Sequence, residues 1–231
     1  VDNYSKIFSD KYIIDALKNT FVYVIVTVPI QTFLALVFAA FLADRMQNIV
    51  GNFLRSAMFI PVIASSVTAG IVNSILGIFG IDGLNWLGSS KTALICVCVV
   101  AIWKNVGYFL VIYYAGIMGL SPELYEAARV DGATSIQQFF KITMPMLKPI
   151  NYLVITLGII WSFQVFDLSY TMTNGGPGRS TVTLVMGIYN AAFKEYRMGY
   201  ACAMAILLLI IILIINVVEN VFFKEKEETA R

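Results

Sequence analysis

Residues 199–223 read GYACAMAILLLIIILIINVVENVFF, with a single charge at Glu219. A hydrocarbon core of roughly 30 Å takes about 20 helical residues at about 1.5 Å each. No water is present there to satisfy the backbone, so such a stretch crosses as a helix. Four further runs share its character. They cover 17–42, with Pro29 and Gln31 near the middle; 53–76, with Pro61; 92–118, with Lys104 and Asn105 at depth; and 150–172, with Gln164 and Asp167. Prolines are tolerated in such spans because neighbouring helices satisfy the carbonyls they release. The pattern predicts an all-α membrane protein, a polytopic helical bundle of about five transmembrane helices. Its transmembrane domain covers 17–223, after a lead-in at 1–16 and before a solvated tail, KEKEETAR, at 224–231.

Composition agrees and excludes several classes. The 231 residues are 59% hydrophobic and 13% charged, with a mean hydropathy of +0.80, where a soluble domain would be about one quarter charged. A net charge of +2 without a basic cluster gives no footprint for nucleic acid. The absence of histidine removes the commonest general base and the commonest zinc ligand together. Cys96, Cys98 and Cys202 all sit inside apolar runs. The first two are spaced CxC and point to different sides of a helix. They read as small apolar residues rather than disulfides or ligands. No catalytic or metal-binding set emerges, and a membrane-embedded enzyme is disfavoured.

The connections differ in kind. GIFGIDGLNWLGSSK (77–91) and TNGGPGRSTVT (173–183) are turn-rich, and 184–198 carries aromatics and charges suited to a helix along the interface. The GGPG segment is not followed by GK[ST], and Pro177 lacks a donor, so it reads as an extracytoplasmic turn rather than a phosphate loop. With the 119–149 loop placed in the cytoplasm, eight Lys and Arg lie inside and seven outside, which decides nothing by the positive-inside rule. That placement also puts the first residues outside without a signal sequence, so at least one upstream span is expected.

The longest polar loop is GLSPELYEAARVDGATSIQQFFKITMPMLKP, 119–149. Ser121 suits an N-cap, Pro122 the first helical position, and Glu123 the positive helix end. Gly132 supplies the left-handed residue that closes the helix. Thr134 and Gln137 form a capping box for a second helix that Pro145 is expected to stop. Two short helices joined by a glycine elbow, with small Ala127 and Ala128 beside it, suit either a surface-lying loop or a docking element for a partner protein.

The spacing Glu126-Ala127-Ala128, Gly132, Ile142, Pro145 resembles the signature of permease subunits of bacterial binding-protein-dependent ABC importers, with Met144 standing where that pattern has leucine. That change conserves volume. WKNVGYFLVIYYAGIMGLSPELYEAARVDGA (103–133), FDLSYTMTNGGPGRSTVTLVMGIYNAAF (166–193) and DNYSKIF (2–8) are similar to the carbohydrate branch of that family, the maltose and glycerol-phosphate permeases. The resemblance covers nearly the whole chain. It implies the type I importer permease fold, with two short cytoplasmic coupling helices in which Glu126, Ala127, Ala128, Asp131, Gly132, Ile142 and Pro145 meet a cytoplasmic ATPase dimer. It also implies a second, different permease, an extracytoplasmic solute-binding protein that meets the GGPG side, and a bacterial inner-membrane location. The missing upstream helix is one that such subunits normally have. ATP and Mg belong to the ATPase, since this chain has no GxxxxGK[ST] loop and itself binds no cofactor.

Polar groups at membrane depth face a bundle interior or a water-filled path. Asn105 and Tyr108 share one helix face, and Phe163, Gln164, Phe166 and Asp167 combine aromatic planes with hydrogen-bonding ends, a mixture suited to sugars. Lys104 is a weaker candidate for the same path. The competing reading is that these groups hold helices together, as expected for Asn73 and Asn216. A sugar or oligosaccharide is the expected solute, with glycerol phosphate as the alternative. A secondary transporter is disfavoured, because no inverted repeat is evident.

Overall fold

The computed structural model describes residues 2–45 and 85–228, and every regular element among them is helical. In chain order these are α1 (Asp2–Ser9), α2 (Lys11–Arg45), α3 (Ala93–Met118), α4 (Pro122–Val130), α5 (Ser135–Met146), α6 (Lys148–Phe163), α7 (Asp167–Thr173), α8 (Leu184–Tyr189), and α9 (Met198–Glu228). A π turn, Asn190–Lys194, extends α8. Among the described residues α2, α3 and α9 are long and apolar enough to cross a membrane, and the pair α5 and α6, bent by 73°, is a fourth candidate. The span expected at 53–76 lies outside the described residues.

The run at 150–172 is not one helix. It stops at Phe163, and Phe166 takes φ −132 and ψ −53 before α7 begins at Asp167. No proline or glycine marks the place. The Thr183 hydroxyl holds the break by donating to the Val165 carbonyl at 2.8 Å, a donor supplied from 18 residues along the chain. The 184–198 segment also differs from the interface helix expected there. Leu184, Met186, Gly187, Ala191 and Ala192 are buried, so α8 and its π turn pack inward while Phe193 and Tyr196 stay exposed.

The chain divides into two compact units. Among the described residues the first takes 2–28, 85–101 and 158–228. Its core includes Tyr23, Val97, Cys98, Ala101 and Val165. Thr27 and Ser162 meet there at 3.2 Å, while the Thr27 hydroxyl also reaches the Tyr23 carbonyl at 2.7 Å. Such a bond holds helices where lipid supplies no hydrophobic drive between them.

The second unit takes 29–45 and 102–157. Ala35, Leu36, Ala39 and Leu42 on α2 repeat with the helical period, as do Val106, Phe109, Leu110, Tyr113 and Ile117 on α3, and both stripes are buried together with Leu147 and Val154. Ala35 and Ala39 are four apart, the small-residue spacing that lets helix backbones approach in a membrane. Gly116 serves the same end: a Cβ there would lie 2.0 Å from Ile150 Cδ1.

Candidate functional site

The polar loop lies wholly within the second unit. Pro122 opens α4 and Glu123 stands in its first turn. Ser121 occupies the N-cap position, but its hydroxyl makes no capping bond. The helix closes in a Schellman motif. Ala133 N–H donates to the Ala128 carbonyl at 2.9 Å, Gly132 N–H donates to the Arg129 carbonyl at 3.0 Å, and Gly132 has φ +77. Thr134 then caps α5 with both bonds of the box in place, Gln137 N–H to Thr134 Oγ1 and Thr134 N–H to Gln137 Oε1.

Two further bonds fix the elbow, and neither was legible in the sequence. Gln138 Nε2 donates to the Ala133 carbonyl at 3.0 Å, and the Tyr125 and Thr143 hydroxyls meet at 2.9 Å. No residue of α4 is buried. Glu126, Ala127, Asp131, Gly132 and Pro145 are exposed, Ala128 and Ile142 half-buried. Apolar side chains are exposed beside them, Val130 at 87% and Ile136 at 71%. A loop that only connected two spans would bury such groups or lack them. An open groove of about 730 Å3 adjoins the loop, with Glu126 and Arg129 at its polar side and Phe33, Val37, Ile117 and Phe139 among its apolar walls.

Pro145 does not stop the second helix. It sits in the helical turn Met144–Met146 after a π turn over Phe139–Thr143, and the chain breaks at Leu147 instead. Pro149 accounts for this. It has no N–H for the Pro145 carbonyl, and it fits the first turn of α6.

In the second unit Asn105 is half-buried and Tyr108 is 46% exposed one turn later. Asn105 Nδ2 donates to Gln31 Oε1 at 2.8 Å. Gln31 is fully buried, and its Nε2 has no partner among the described residues. A buried amide donor left unpaired costs about 1–3 kcal/mol, while an interhelical polar bond in a membrane returns about 0.6–2 kcal/mol. Counted over the described residues, the two terms are of similar size.

In the first unit Phe163 is 1% exposed, its ring edge-on to Phe21 with centroids 5.4 Å apart. It is a core position. Gln164 and Asp167 are exposed at the break, Asp167 in the first turn of α7, where its charge complements the helix dipole. Phe166 stacks on Tyr170 at 5.1 Å, and Tyr189 packs on both.

The turn at 174–182 is highly shaped. Asn174, Gly175, Gly178 and Arg179 all have positive φ, and Asn19 Nδ2 donates to the Arg179 and Val182 carbonyls at 2.9 and 3.0 Å. Gly175 has φ +82 and Val182 Cγ2 where a Cβ would stand, 2.8 Å away. Asn19→Ala removes both side-chain bonds. The expected result is a destabilisation of about 1–3 kcal/mol, read as faster proteolysis at Arg179 with the protein still in the membrane.

The family described as binding-protein-dependent transport system inner membrane component matches residues 9–226. The chain belongs to this family. It is 36% identical to the probable ABC transporter permease protein YurN of Bacillus subtilis (strain 168), over 98% of this chain and 82% of that one. It is 33% identical to the arabinooligosaccharides transport system permease protein AraP of the same organism, over 88% of this chain and 68% of that one. Among solved structures, a bacterial ABC transporter involved in the import of the acidic polysaccharide alginate shares the fold, with a TM-score of 0.86 at 22% identity over 97% of this chain and 83% of that one. This ABC permease is thus a multi-pass membrane subunit and not an enzyme, and ATP hydrolysis falls to a separate chain.

Proposed function

We propose that this permease forms the translocation path for a sugar or oligosaccharide, delivered by an extracytoplasmic binding protein, in the cytoplasmic membrane of a bacterium. The EAA loop couples that path to a cytoplasmic ATPase dimer, which binds the ATP and Mg that this chain does not. A second, different permease completes the membrane part. The observation that carries the coupling is the exposed elbow: α4 buries nothing, and the motif residues stand around a left-handed Gly132 with open space beside it. The sugar reading is supported by the relatives, which include permeases named for arabinooligosaccharides, trehalose and maltose, and lactose. One relative is named for sn-glycerol-3-phosphate, so that solute is the second reading. In the first unit exposed Gln164 and Asp167 are candidate polar groups for the solute, with Phe163 behind the break in the core; Asn105 and Tyr108 are separate candidates within the second unit.

The test is a pull-down of the tagged full-length chain from its own host in mild detergent, with co-purifying proteins identified by mass spectrometry. An ATPase, a second permease and a binding protein are expected. The binding protein is then screened against arabinotriose, trehalose, maltose, lactose and sn-glycerol-3-phosphate. Recovery of other membrane complexes without any ATPase overturns the coupling role, and a binding protein that takes only the phosphate overturns the sugar.

A further inference from the structure

Side chains tie α4 to α5 at two places, and the two ties act at different distances from the elbow. At the elbow the Ala133 peptide is bonded on both sides. Its N–H donates to the Ala128 carbonyl of α4 at 2.9 Å, and its carbonyl accepts from Gln138 Nε2 of α5 at 3.0 Å. Away from the elbow, the Tyr125 and Thr143 hydroxyls meet at 2.9 Å. Tyr125 stands seven residues before Gly132, so this second tie holds α4 about 10 Å from the pivot. The geometry of α5 serves both ties. Gln138 and Thr143 are five apart, and on an uninterrupted α-helix they would point about 140° away from each other. The π turn Phe139–Thr143 follows Gln138, with Met144 N–H reaching back five residues to the Phe139 carbonyl. A ladder of that period brings residues five apart to one side of the helix. Both side chains are buried, although α4 itself buries nothing. At its far end α5 runs into Leu147, which lies in the core of the second unit with Leu36, Phe109 and Val154.

We propose that Tyr125 is a positioning residue whose bond to Thr143 braces α4 against α5, so that a push on α4 moves the spans behind Leu147 instead of hinging α4 about Gly132. The proposal rests on the reading that the ATPase grips this loop. A bond resists rotation about a pivot in proportion to its distance from it, and the Gln138 bond lies at the pivot itself. The Tyr125 to Thr143 bond is therefore the one that makes the helix pair stiff. Cutting it leaves the Schellman close, the capping box and the exposed residues around the elbow in place, so the grip survives and transmission is lost. Coupling between distant sites passes through such bonded ties between rigid elements. The brace also accounts for the π turn, which puts Thr143 on the same side as Gln138.

The experiment uses the whole importer, purified as in the pull-down, reconstituted into lipid vesicles and supplied with ATP and the binding protein. The solute is the labelled member of the panel above that the binding protein takes. Two rates are read side by side, solute taken up and phosphate released from ATP. Tyr125→Phe and Thr143→Val each remove one hydroxyl with little change of volume. Both are expected to keep the ATPase in the complex and to keep hydrolysing, while solute moved per ATP falls about tenfold, the worth of one well-made hydrogen bond. The double variant falls no further than either single one, because the two hydroxyls share one bond. Thr143→Ser retains a hydroxyl and retains the wild-type ratio. A merely structural role lowers the amount of assembled importer, and so uptake and hydrolysis alike, with the ratio unmoved. That outcome overturns the proposal, as do falls that add in the double variant. Loss of the ATPase from Tyr125→Phe at normal membrane levels makes Tyr125 part of the grip and overturns the brace too. Where Thr143→Val does not reach the membrane, Tyr125→Phe, at a half-buried position, decides alone by the same ratio. A wild type that recovers no ATPase removes the coupling reading and this proposal with it. Recovered ATPase with an unmoved ratio in Tyr125→Phe removes only the brace.

Discussion

Gly132→Val strips the ATPase from the complex while leaving the permease in the membrane. Gly132 holds φ +77 at the close of the Schellman motif, a conformation that valine adopts only as an outlier. The strain is about 2 kcal/mol, roughly a 30-fold shift away from the elbow geometry. Nothing lies within 4 Å of a Cβ placed there, so the substitution makes no clash and acts through the backbone alone. The pull-down should therefore recover about 30-fold less ATPase per permease. Gly132→Asn separates conformation from mere change of residue, since asparagine tolerates the left-handed region, and it should recover most of the ATPase. Wild-type recovery with Gly132→Val would show that partners do not grip this elbow.

Gln164→Ala and Asn105→Ala should each lower solute uptake by about tenfold, the worth of one well-made hydrogen bond, with membrane levels and ATPase recovery maintained. The two are informative in different degrees. Gln164 is exposed at the break between α6 and α7, and exposed substitutions of this kind change stability by no more than about 0.5 kcal/mol. A loss of uptake there reports on the solute. Asn105→Ala also orphans the buried Gln31 Oε1, so its membrane level must be measured beside its kinetics. Uptake constants unchanged in both variants would return these residues to helix adhesion.

Much of the loop was legible in advance because its signals are local. A proline at the first helical position, a glycine after the last, and a threonine three residues before a glutamine each act on a neighbouring backbone group, and the structure finds Pro122, Gly132, and the Thr134 to Gln137 box in those roles. Ser121 takes the N-cap position without its capping bond, and Pro145 does not stop its helix, for the converse reason. Whether a hydroxyl turns to cap its helix depends on what else surrounds it, and Pro145 was tolerated because the geometry of Leu147 and Pro149 breaks the helix two residues later. Among the path candidates, Phe163 looked like its neighbour Gln164, yet one is core and the other exposed. A single residue step separates those fates, and only packing against Phe21 distinguishes them.

The sequence by itself determined that this is a helical membrane protein with a shaped polar loop, because hydropathy over about twenty residues and capping within four are properties of the chain alone. The tertiary structure decided the rest. It broke the 150–172 run, because a hydroxyl eighteen residues onward took the Val165 carbonyl. It folded 184–194 inward, because small Gly187, Ala191 and Ala192 fit against neighbouring helices. It paired Gln31 with Asn105 across 74 residues of sequence. Each is a long-range bond or contact whose partner no local pattern names, and in a membrane such partners, rather than water, set where a polar group ends.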